Sequence, residues 1–344
     1  MEIDILSRVQ EKEIKCLDHG FVRIVDIMPR IVDDSKTADS AIVQMARTSY
    51  GEGTKTINQD RGLIRTLIRN LHTSPLEGVE FKFHIRLPIF VMRQLIRHRT
   101  ASVNEYSARY SIMKEEFYFP DLEQVRSQSA VNKQGRGDSL EEDLQKIILN
   151  KYGKISKICY NIYNSLIEKG LAREIARCIL PVNYYTECYW KIDLNNLLKT
   201  LLLRTDPHAQ YEIRVFANAM ESFLKDLCPI VYEAYIDYMK ESIRLSRMEK
   251  KIISEVLNLN KKMMAMLAGP EVLHRGDIEF YLEKIEYLLS EECLKEKGMS
   301  AREEIPSFYT KLGIGEKTEE EIRAEKELAN MIWCCKEAKE AKEG

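Results

Sequence analysis

The chain lacks several things that would settle its class by themselves. None of its 344 residues falls in an apolar run that approaches a membrane span. The first fifteen residues carry charges where a secretory signal needs an apolar centre. Net charge is nearly absent: 52 Lys and Arg against 54 Asp and Glu leave −2, so no global field recruits nucleic acid or an anionic membrane. There is no Gly-x-Gly-x-x-Gly and no Walker loop, which argues against a Rossmann dinucleotide fold and a P-loop kinase. The eight cysteines are scattered, with no C-x-x-C pair and no zinc-like set. Reduced thiols in a cytoplasmic protein without a bound metal follow as the simplest expectation.

Against this background one stretch stands out, Arg93 to Ser111, reading RQLIRHRTASVNEYSARYS. Arg93, Arg97, Arg99 and Arg109 are interleaved there with His98, Ser102, Asn104, Glu105 and Ser107. Over its second half the apolar residues follow neither a helical nor an alternating period. Arginine offers a rigid fork of donors for phosphate oxygens, and Asn104 carries a donor and an acceptor suited to a base edge. Glu105, the only acid, can accept from ribose hydroxyls or orient an arginine. The plain alternative is a surface loop with structural salt bridges. The density of unlike polar groups favours a nucleotide site, and local basic character favours a small anionic ligand over a polymer.

The elements around it read in order. Residues 20–28 alternate as a strand, and a helix follows from Thr37 or Asp39 to residues 47–50. A second helix from about Asp60 has Leu63, Ile64, Leu67, Ile68 and Leu71 on one stripe. Ser74, Pro75 and Glu77 form a capping-box pattern whose free amides would seat an anion. The clearest strand alternates Val79, Phe81, Phe83, Ile85 and Leu87 with Glu80, Lys82, His84 and Arg86. After a short helix and the arginine stretch, the chain is expected to be a polar loop through Asp138. Ser139 and Glu142 are placed to cap a long helix closed by Gly170. Then come a helix over 173–180, a strand over 182–192, a helix over 194–203, and a helix begun by Asp206-Pro207. Beyond the break at Cys228-Pro229 the pattern is nearly all helical, ending in a charged helix from Thr318. The expected fold is α/β (α+β), an antiparallel-rich sheet flanked by helices with an all-helical C-terminal extension. Residues 1–238 would form the main domain and 239–344 the extension.

The pattern Arg97-His98-Arg99-x-x-Ser102-x-Asn104-Glu105-x-Ser107-x-Arg109-Tyr110 resembles the signature of flavin-dependent thymidylate synthases. The resemblance extends from about Gly20 to Tyr238. It implies methylation of deoxyuridylate to thymidylate (dUMP to dTMP) with FAD, 5,10-methylenetetrahydrofolate and NADPH or NADH. It also implies a homotetramer with active sites where subunits meet. By resemblance, Gln94, Arg97, Glu105, Ser107, Arg109, Arg177 and Arg204 would hold the substrate. Ser49, His72, Ser74, Arg97, His98, Arg99, Glu105, Asp193, Asn195 and His208 would meet the flavin. Arg204 is the catalytic candidate, because a fixed guanidinium near N3 favours the deprotonated, electron-rich ring. Gly78 stands where the family usually has histidine, and Lys199 departs from its usual polar residue. No cysteine is set as a nucleophile toward uracil, which excludes the cysteine-dependent kind of thymidylate synthase. A competing class is an RNA-binding module using Arg97, Arg99 and Arg109 on phosphates with Tyr106 and Tyr110 stacking bases. Against it stand the near-neutral charge and the lack of a wider basic stripe.

Overall fold

A computed structural model describes residue 9 and residues 12–30, 37–48, 57–130, 132–252 and 254. In chain order the main elements are β1 (Glu13–Cys16), β2 (Gly20–Met28), α1 (Asp39–Arg47), α2 (Ile57–Arg69), β3 (Glu80–Pro88) and α3 (Ile89–Leu95). They continue with β4 (Ser102–Glu105), β5 (Arg126–Gln128), β6 (Arg136–Ser139), α4 (Glu142–Glu168) and α5 (Arg173–Ala176). β7 (Tyr185–Asp193), α6 (Leu194–Arg204), α7 (Tyr211–Leu227) and α8 (Pro229–Tyr235) complete the set. The chain divides into two compact units, Met1–Ser242 and Ile243–Gly344. In the second, Ser246 and Glu249 cap one another: the Glu249 N–H donates to Ser246 Oγ at 3.2 Å and the Ser246 N–H to Glu249 Oε2 at 2.6 Å.

The first unit is built on an antiparallel sheet in the order β1-β2-β3-β7-β4. Alternation in β3 puts Phe81, Phe83, Ile85 and Leu87 at 0 % exposure, where they meet Trp190 of β7 and the apolar side of α7. The opposite side of the same strands carries Glu80, Lys82, His84 and Arg86. Helix α7 buries Phe216, Met220, Phe223, Leu224 and Leu227 at helical spacing, so it is a core element. Helix α4 differs: although 27 residues long, it buries only Gln145, Ser156 and Tyr163. Its Leu144, Ile147, Ile155, Ile158 and Ile162 are exposed.

Several local expectations need correction. Ser102–Glu105, read as irregular, is an edge strand whose order comes from its ladder with β7 and not from burial of its own exposed residues. The polar stretch through Asp138 contains the β5–β6 hairpin. Ser74 and Glu77 form no capping box: Ser74–Gly78 is a 3-10 turn without a side-chain cap, and Glu77 Oε1 instead accepts from Asn195 Nδ2 at 3.2 Å. Ser139 does not cap α4 either, because its hydroxyl accepts from Gln145 Nε2 at 2.9 Å. Asp206-Pro207 does not begin α7. The Asp206 carboxylate accepts from the backbone N–H of His208 at 2.7 Å, closing a local turn that delays the helix to Tyr211. Gly170 does close α4, with φ of +85°. The expected helices from Gly269-Pro270 to the Thr318 segment lie outside the described residues.

Candidate active site

The arginine stretch is suspended between two firm supports. Upstream, α3 is anchored by buried Val91, Met92 and Leu95. Downstream, β4 is paired along β7 in the register Ser102↔Lys191, Val103↔Trp190, Asn104↔Tyr189 and Glu105↔Cys188. As the last strand of its sheet, β4 leaves its second edge unpaired among the described residues. The turn between these supports presents Arg97 and Arg99 to solvent.

Arg204, the last residue of α6, reaches into the turn. Its Nε donates to His98 Nε2 at 3.1 Å and a terminal nitrogen donates to the Gln94 carbonyl at 3.2 Å. Because His98 Nε2 accepts, its proton sits on Nδ1 and the ring is neutral. Burial, with the Arg204 charge beside it, lowers the His98 pKa from 6.5 to about 4. Partial burial also lowers the Arg204 pKa, yet the guanidinium stays charged. Among the described residues, Arg97, Arg99 and Arg204 have no carboxylate within salt-bridge distance. A half-buried cation held by a neutral ring and a carbonyl keeps its full charge for an incoming ligand. The Gln94 side chain donates to Gln210 Oε1, and Gln210 donates to Glu212 Oε2 at 2.9 Å.

Other expected residues join this group. Glu105 Oε1 accepts from the Thr186 hydroxyl at 2.8 Å, which fixes its carboxylate beside β7. Ser107 shapes the next turn, its Oγ accepting from the Arg109 N–H at 3.3 Å. Arg109 meets Glu174 at 3.2 Å and Arg173 donates to the Tyr110 carbonyl at 2.7 Å. These two contacts bring α5, and exposed Arg177 just after it, against the arginine stretch.

A second group lies apart. Asp193 is the N-cap of α6, accepting from the Asn196 N–H at 3.0 Å. Asn195 is buried and donates to Glu77 of the turn that carries Ser74, with exposed His72 just before it. Helix α6 separates these residues from Arg204 by about 16 Å at the usual helical rise. The expected flavin residues therefore cluster at both ends of α6. His208 is exposed beside Asp206, and Ser49 lies outside the described residues. At Gly78 an added Cβ would meet the sulfur of Met45, an exposed and flexible side chain that would have to turn aside. Sequence reading missed Gln210 and Thr186 as site neighbours. The only signal for Gln210 was its place in the Arg204–Gln210 segment, and Thr186 had none.

Residues 30–230 match the family described as thymidylate synthase complementing protein. A flavin-dependent thymidylate synthase from Wolbachia pipientis wMel is 54 % identical over 252 residues, covering 73 % of this chain and 86 % of the relative. One from Dictyostelium discoideum is 49 % identical over 257 residues, covering 75 % and 84 %. Among solved structures, the UMP/dUMP methylase PolB from Streptomyces cacaoi, bound with 5-Br dUMP, superposes with a TM-score of 0.58 at 32 % identity. That alignment covers 66 % of this chain and 99 % of PolB. The chain therefore belongs to the thymidylate synthase complementing protein family.

Proposed function

We propose that the protein is a flavin-dependent thymidylate synthase that methylates dUMP to dTMP. The observation that carries this is Arg204: a half-buried guanidinium fixed by neutral His98 and the Gln94 carbonyl, with no acid in salt-bridge reach among the described residues. Family membership supplies the reaction class, and the residues fit the ligands. The unpaired Arg97 and Arg99 suit the pyrophosphate of FAD, and Arg109 and Arg177 suit the substrate phosphate. Gln94, Glu105 and Ser107 are placed to orient the nucleotide. When bound, FAD supplies hydride and one-carbon transfer. The chain's own contribution is to hold the pyrimidine edge against Arg204, whose charge favours loss of the N3 proton and enriches C5 with electrons.

The finer reading is FAD as the flavin, 5,10-methylenetetrahydrofolate as carbon donor and NADPH as reductant, in a cytoplasmic homotetramer. The outward apolar stripe of α4 supports assembly, since such a stripe on a long helix calls for a covering surface. The two groups of residues at opposite ends of α6 support a site spanned by an extended dinucleotide or completed by another subunit. Residues 1–238 contain every residue given a role in the chemistry, and 239–344 are read as an accessory helical extension. The test is one absorption spectrum of purified protein, before and after NADPH and dUMP, followed by product analysis. A yellow protein that bleaches and forms dTMP is expected. A colourless protein that makes no dTMP when FAD is added would defeat the reading. A chain cut after Ser242 that binds flavin in an intact tetramer yet makes no dTMP would overturn the accessory role of the extension.

A further inference from the structure

The β5–β6 hairpin carries none of the residues assigned above to dUMP or flavin, but it forms one wall of a cleft of about 670 Å³. The other wall is the segment from Pro207 to Arg214 at the start of α7. This volume suits a nucleotide-sized ligand. Its basic lining is Arg126, Arg136, Arg214 and the His208 imidazole, whose Nδ1 lies 2.9 Å from Asp206 Oδ1, and no Asp or Glu is among the described residues that line it. Glu212, buried to 1 % exposure, is spent on Arg136 and on the Tyr118 hydroxyl. The other two arginines are fixed by carbonyls: Arg126 Nε donates to the Glu123 carbonyl and Arg214 Nη1 to the Pro207 carbonyl, both at 2.8 Å. A carbonyl orients a guanidinium without neutralising it, so Arg126 and Arg214 place two charges in one concavity with no ion-pair partner among the described residues. The Tyr211 ring props the set, with Arg136 at 5.8 Å and Arg214 at 6.0 Å from its centroid. Scattered surface arginines would be solvated singly or paired with acids; these share a cleft. Gln210 lines the same cleft and accepts from Gln94, so the cleft adjoins the nucleotide site.

We infer that this cleft binds the anionic part of a cosubstrate of the reaction, a segment bearing at least two negative charges. That chemistry has two sources: the phosphates of the nicotinamide dinucleotide, or the γ-linked carboxylates of a polyglutamylated folate. The assignment rests on the thymidylate synthase reading and adds a subsite to it.

The test uses the full-length, flavin-loaded enzyme and its Arg126→Gln/Arg214→Gln variant. The KM of one cosubstrate should rise about tenfold for each guanidinium removed, with kcat, the KM for dUMP and flavin content unchanged. An equal rise for NADPH and NADH assigns the cleft to the pyrophosphate, and a rise for NADPH alone to its extra phosphate. A rise for tetraglutamyl but not monoglutamyl methylenetetrahydrofolate assigns it to the carboxylates. Unchanged KM values for both cosubstrates, or loss of flavin from the variant, would overturn the inference, whereas dTMP formation by the wild-type enzyme tests the thymidylate synthase reading separately. If the double variant fails to fold, inorganic pyrophosphate is titrated into the wild-type holoenzyme. Inhibition competitive with a cosubstrate supports the site; no inhibition, or competition with dUMP alone, overturns it.

Discussion

Two regions of this protein hold basic side chains, and they treat them in opposite ways. On the outward side of β3 and β7, Arg86 lies between Glu116 and Glu187, which faces it across the ladder. In the same region His84 meets Glu187 at 3.1 Å and Lys191 meets Glu80 at 2.7 Å. Arg86 and Lys191 each have an acid beside them and Lys82 lies over the Tyr189 ring, so the region is structural. At the turn after α3, Arg97, Arg99 and Arg204 have no carboxylate among the described residues, and Arg204 is half-buried as well. Desolvating a cation without a counter-charge costs stability, and a fold that retains one holds it for a ligand. The placement of acids, not the number of arginines, separates the two.

The largest test of that contrast is Arg204→Lys. Lysine retains the charge but loses the planar fork shared by His98 and the Gln94 carbonyl, so turnover should fall about a hundredfold. Bound flavin and melting temperature should be retained; near-wild-type turnover would remove Arg204 from the mechanism. The reverse pattern is expected for Arg86→Met. It leaves two partly buried carboxylates facing one another and should cost about 1–2 kcal/mol after allowance for exposure. Activity per folded molecule should hardly change, as urea titration beside a specific-activity assay will show.

A smaller effect concerns His98. Its folded pKa of about 4 lies below the ordinary 6.5, so below 6.5 the unfolded chain takes up the proton first. The stabilisation is therefore complete above pH 6.5 and is lost as pH falls toward 4. A His98→Asn variant should show a flatter stability–pH curve across that window. A His98 resonance titrating near 6.5 in the folded protein would contradict the Arg204 contact. Least of all should happen with Arg61→Ala: its pair with Glu233 is exposed on both sides, and its loss should shift stability by less than about 0.5 kcal/mol.

How much of this was legible beforehand depended on where each signal resides. β3 announced itself because Phe81, Phe83, Ile85 and Leu87 alternate against charged residues and one face is fully buried. The signature from Arg97 to Tyr110 was legible as chemistry, since its residue types make poor packing material. β4 was not, because all four residues are exposed and their strand character is lent by β7. The β5–β6 hairpin was hidden because its residues are polar, mostly exposed and paired only with one another, and with it the cleft it closes. Asp206-Pro207 misled because an aspartate before proline reads alike as a helix cap or a local turn, and only the His208 N–H decides between them. The union of Arg204 with His98, 106 positions apart, could not be read from spacing at all.

Gly78 carries a consequence for substitution. A Cβ there would overlap the Met45 sulfur, so any larger residue requires Met45 to turn aside. Met45 is exposed and its thioether is the far end of a flexible side chain, so that adjustment is a small one. Gly78→His should therefore leave the fold intact, and a double-mutant cycle with Met45→Ala in urea should show a coupling energy below about 1 kcal/mol.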